Sequence, residues 1–156
     1  MRGEAPEVVE FRDGDPAVVA GIMAELAALG PGGGWLVLQP GFDPDAAPAR
    51  WPTRGLLQRR PVALAPTCSW VPNERERGVE HVALGVEHAG RRAAGEVPVP
   101  DGWVVRQDDV RGLVVAVATD VPHDEVLRWL LAAAQVLTVV PLTGEWRAVV
   151  HRPGGR

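Results

Sequence analysis

From Trp103 to Leu137 the apolar positions change period, and the change divides the stretch into a hairpin and a helix. Trp103-Val104-Val105-Arg106 reads as a short strand, Gln107 to Gly112 as a turn, and Leu113-Val114-Val115-Ala116-Val117-Ala118 as a strand that is apolar on both faces. A strand covered by protein on each side has this pattern, as does one whose second face packs small alanines closely. Pro122, Asp124 and Glu125 then open a helix, with acids in its first turn complementing the positive end of the helix dipole. Val126, Leu127, Leu130, Leu131, Ala134 and Leu137 form its inner stripe, while Arg128, Ala132 and Gln135 fall outside it.

The rest of the chain reads in the same way. Asp15 as N-cap and Pro16 at the first helical position precede Val18, Val19, Ile22, Met23, Leu26 and Leu29, a helical pattern stopped by Gly30-Pro31. Val8 to Phe11 before it and Trp35 to Leu38 after it read as strands. Pro40, Pro44, Pro48 and Pro52 make Pro40 to Arg54 a loop, because prolines so spaced forbid both a helix and a central strand. Leu56-Leu57 and Val62 to Ala65 read as one strand bent near Arg59-Arg60-Pro61, which Cys68 to Val71 extends or follows, and Pro72 to Gly78 is a charged turn. Val79 to His88 alternates apolar with polar or small residues, Arg91 to Gly95 is a short helix or loop, and Trp146 to Val150 is the last strand.

The order β-α-β-β-β-β-β-α-β predicts an α+β two-layer sandwich, with a mostly antiparallel sheet of about five to seven strands and two amphipathic helices on one face. The run beginning at Leu113 is expected at the middle of that sheet. The arrangement loosely resembles ferredoxin-like sandwiches, from which the long middle hairpins depart. Residues 1–156 are expected to form a single domain, with 1–6 and 152–156 flexible.

Composition narrows the class. A chain of 156 residues buries about 70 % of its unfolded surface in one core, so it needs no disulfide or metal to fold. All 16 basic residues are arginine, lysine and tyrosine are missing, and Ile22 and Asn73 are the sole residues of their kinds. The depleted residues have AT-rich codons, which points to a GC-rich bacterial genome and discourages reading arginine as selection for anion forks. A net charge of −4 argues against nucleic acid. No apolar run approaches a bilayer span, and one cysteine, Cys68, fits a reducing compartment, so the expected location is cytoplasmic with no membrane partner.

The candidate chemistry is sparse. Cys68 with His81 or His88 offers the residue types of a thiol nucleophile and its base, without any accompanying signature. His81 and His88, seven apart on one strand, point to opposite faces and cannot share a metal, so neither metal nor cofactor is expected. Arg59-Arg60 and Arg91-Arg92 are the residue types that hold phosphate or carboxylate. Gly32-Gly33-Gly34 follows a helix and precedes a strand, the reverse of a phosphate-cradling loop. Six tryptophans against two phenylalanines place Trp51, Trp70 and Trp146 in or beside loops, and those left exposed would supply contact surface, with Trp51 and the Pro40 to Arg54 loop leading. The expected function is binding of a protein partner or small ligand through Trp51, Trp70, Arg59, Arg60, His88 and Arg91, and homodimerisation through a strand edge or the tryptophan-bearing loops. The alternative is a small hydrolase or transferase using Cys68 or His81, with arginines recognising an anionic substrate.

Overall fold

The computed structural model describes residues 5–43, 45, 65–88 and 95–153. Among these, seven strands and two helices follow in the order β1 (Glu7–Arg12), α1 (Ala17–Ala28), β2 (Trp35–Phe42), β3 (Thr67–Glu76), β4 (Val79–Glu87), β5 (Val104–Asp109), β6 (Gly112–Val117), α2 (His123–Leu137) and β7 (Leu142–His151). The strands form one sheet, β1-β7-β2-β3-β4-β6-β5, in which every adjacent pair is antiparallel. The connection through α1 straddles β7, and the one through α2 spans β2, β3 and β4. The expected α+β class and element order hold; the seven-stranded order departs from a ferredoxin-like βαββαβ sheet. No helix among the described residues is long and apolar enough to cross a membrane.

Both helices lie on one face, packed against each other and against β1, β2, β3 and β4. Alternation along each strand sends Leu36 and Leu38, Cys68 and Trp70, Leu84 and Val86, Val115 and Val117, and Ala148 and Val150 to that face, where all are buried. Val19, Met23 and Leu26 of α1, with Val126, Leu127, Leu130, Ala133 and Ala134 of α2, close the core from above. Gly34, at φ 121°, brings the chain out of α1 into β2 so tightly that a Cβ there would stand 2.3 Å from the His151 carbonyl oxygen. Only glycine fits.

Several expectations need correction. In the Leu113 run all but half-buried Val114 and exposed Ala118 are buried, yet β6 is the penultimate strand, and β3 occupies the centre. Pro40 lies inside β2: the register shifts between Pro40 and Phe42, and that irregularity accommodates a residue with no N–H to give the ladder. Pro72 and Asn73 lie inside β3, within a second bulge between Val71 and Glu74. The charged turn is therefore only Arg77-Gly78, both at positive φ (51° and 79°), the geometry of a two-residue hairpin. Asp15 does not cap α1 with its side chain; its backbone instead bridges to Arg12. The other end of α1 is capped from β3, where Asn73 Nδ2 donates to the carbonyls of Ala27 (3.2 Å) and Gly30 (3.0 Å). Just past β7, Arg152 pairs with Glu7 (3.4 Å) of β1 and Glu25 (3.5 Å) of α1. The strand expected over Leu56 to Ala65 lies outside the described residues except for Ala65.

Candidate functional site

The cross-strand registers also define the second face of the sheet. One row runs Val8, Val149, Val37, Ser69, Gly85, Val114, Gln107 across all seven strands. A second runs His151, Trp35, Val71, Ala83, Ala116, Val104 from β7 to β5. Neither row holds a carboxylate or a guanidinium, and no helix or strand among the described residues covers them. An antiparallel sheet that turns one face to water ordinarily carries polar side chains there. Here the two rows hold only Ser69, Gln107 and His151 as polar members, and Glu10, Arg147, Gln39, Thr67 and Glu87 form a third row toward one end of the strands.

This face is lopsided about its central strand. On the β1-β7-β2 side it carries Val8, Val149, Val37 and Trp35, with Val8 54 % and Trp35 43 % exposed. The Trp35 ring stacks on His151 at 4.6 Å between centroids, nearly parallel, which holds the indole in place. On the β4-β6 side the floor is low at Gly85, Ala83 and Ala116, the last 6 % exposed, with Val114 standing beside Gly85.

Beside the polar row, at the shared end of β1, β7 and β2, opens a cavity of about 660 Å³ lined by Arg12, Gln39, Phe42, Thr67, Trp146 and Arg147, among others. Arg12 faces Glu145 at 3.8 Å and Arg147 faces Glu10 at 3.7 Å. Both separations exceed a charge-assisted hydrogen bond, so the guanidinium donors retain capacity for a ligand. The volume lies within the range of small-molecule sites.

The residues singled out from sequence do not assemble. Cys68 is fully buried on the helix-covered face, its thiol donating to the Leu130 carbonyl at 3.6 Å, and burial pushes its pKa up to about 12. His81 lies on the opposite face, half-buried beside Ala83, so the sheet itself separates the two. Trp70 is also fully buried, against the expectation that it forms contact surface: as the central strand's largest inward residue it fills the space under both helices, edge-on to His123 at 5.8 Å. His88 is 7 % exposed at the end of β4, its pKa lowered by burial and raised in part by Asp108 and Glu96. It therefore offers little surface. Trp51, Arg59, Arg60 and Arg91 lie outside the described residues. Among the described residues no group of three His, Cys, Asp or Glu is placed to hold a metal ion.

The uncovered face was missed for a physical reason. Its rows join residues from as many as seven strands, with cross-strand neighbours such as Val8 and Val149 more than a hundred positions apart, which no local periodicity links. The local signal was the run of Leu113 to Ala118, apolar on both faces without a second set of helices to cover it. No protein-family model, no curated protein and no solved structure matches this chain.

Proposed function

We propose that this domain works by binding, and that its working surface is the uncovered face of the sheet, offered to the apolar surface of a protein partner. The observation that carries the reading is the pair of uncharged rows crossing the sheet with no helix or strand of the described residues over them. Contiguous apolar patches of several hundred Å² are uncommon on monomers and mark interaction sites. A net charge of −4 supports a protein rather than a nucleic-acid partner. The single buried thiol and lysine-free composition support a reducing cytoplasm in a bacterium with a GC-rich genome.

The catalytic alternative is disfavoured, since a thiol at about 12 supplies almost no thiolate at neutral pH and His81, one of its two candidate bases, lies across the sheet. A small anionic ligand is a second reading, favoured by the cavity between Arg12 and Arg147. Titration with inorganic phosphate should then shift the backbone amide resonances of Arg12, Gln39 and Arg147, and unmoved resonances would count against it.

The main reading is tested with the dye bis-ANS and dilute native protein. The wild type should bind the dye, and Val114→Glu should lose that binding while keeping its melting temperature. Dye binding that is absent, or indifferent to Val114→Glu, contradicts the proposal.

A further inference from the structure

The lopsidedness of the uncovered face has a symmetric solution. We propose that the occupant of this face is a second copy of the chain, stacked sheet on sheet about a two-fold axis running along β3. The inference rests on the reading of that face as a binding surface.

Such an axis exchanges β2 with β4, β7 with β6, and β1 with β5, while keeping each row opposite itself. Trp35 of one copy then lies over Ala83 of the other, and Val37 over Gly85. Val149 faces Val114, and Ser69 and Val71 face their own counterparts. Trp35, Val37 and His151 each meet a small residue, Ala83, Gly85 and Ala116 in turn, so the projecting indole on one side finds the low floor on the other, while Val149 packs on Val114. Stacked sheets stand about 10 Å apart and fill that gap with interdigitating side chains, which requires this exchange of large for small. An axis along the rows would instead set the uncharged rows against the polar end of the partner.

The extent is also adequate. Six strand spacings of about 4.8 Å and two uncharged rows of about 6.8 Å give about 400 Å² per copy, and the charged row at the rim brings this to about 600 Å², or about 1,200 Å² for the pair, the lower bound of specific interfaces. Neither row buries an unpaired charge on closure, so association is not opposed by desolvation of ionised groups. The ends of the strands keep Glu10, Arg147 and Glu87 at the rim, where polar residues belong in an interface.

Sedimentation velocity from micromolar to millimolar protein tests the arrangement. The wild type should pass from monomer to dimer, and Val149→Lys and Val114→Glu should each remain monomeric with unchanged melting temperature. Mixing those two variants should restore a dimer, because the axis sets Val149 of one copy against Val114 of the other and so pairs lysine with glutamate. A wild type that stays monomeric overturns the proposal while leaving the dye result, and with it the binding reading, intact. A dimer indifferent to both substitutions overturns it, and so does a mixture that fails to associate, since the register about β3 is then wrong.

Discussion

Asn73 shows how much one side chain can carry. Its backbone takes φ 59° to form the bulge in β3, and its amide donates twice to the carbonyls that end α1. Glycine tolerates the same φ, so Asn73→Gly removes only the two hydrogen bonds. Chemical unfolding should then lose about 1–3 kcal/mol, and an unchanged midpoint would deny the cap. Cys68 allows a second test, because the chain has no lysine or tyrosine to titrate between neutrality and arginine. The folded thiol is raised from 9.0 to about 12. Its contribution to stability is therefore complete below pH 9 and is lost as pH rises toward 12, when the unfolded thiol ionises and the folded one cannot. Wild-type stability should decline over that window and Cys68→Ala should decline less; parallel profiles would contradict the burial.

At the scale of the element, α2 was the most legible part of the chain. Val126, Leu127, Leu130, Leu131, Ala134 and Leu137 are buried as their spacing requires, and Arg128, Ala132 and Gln135 are exposed. Helical periodicity is local, so one strip of sequence contains it whole. Leu130→Asp loses about 2–5 kcal/mol of apolar contact and adds a buried charge, together comparable with a domain's entire stability of about 5–15 kcal/mol. That variant should be unfolded, whereas Ala132→Asp on the outer face of the same helix should melt near the wild type. A folded Leu130→Asp would refute the packing. Strands were harder to read where proline interrupted them: Pro40 and Pro72 each sit in a bulge, and a bulge depends on a partner strand that no local pattern names. Trp70 was misread for a related cause. A large aromatic beside charged residues resembles a surface anchor, and only the alternation of Cys68, Trp70 and Pro72 against Ser69 and Val71 marked it as inward.

For the whole molecule, class and element order followed from sequence, while the sheet order and the uncovered face did not. Strand order is set by pairings such as Leu36 with Val150, more than a hundred residues apart, and by the split crossovers through α1 and α2. One face of the sheet is covered by two helices, and the other presents uncharged rows over which no helix or strand of the described residues lies. Val114 and Val115 put that division on adjacent residues of β6, the first turned to the uncovered face and the second fully buried in the core on the helix side. Thermal unfolding of Val114→Glu and Val115→Glu in dilute solution therefore bears on it most directly. A surplus face predicts a Val114→Glu variant that melts close to the wild type beside a Val115→Glu variant that does not fold. Equal loss of structure in both would mean that the second face belongs to the domain's own core, and would contradict the account.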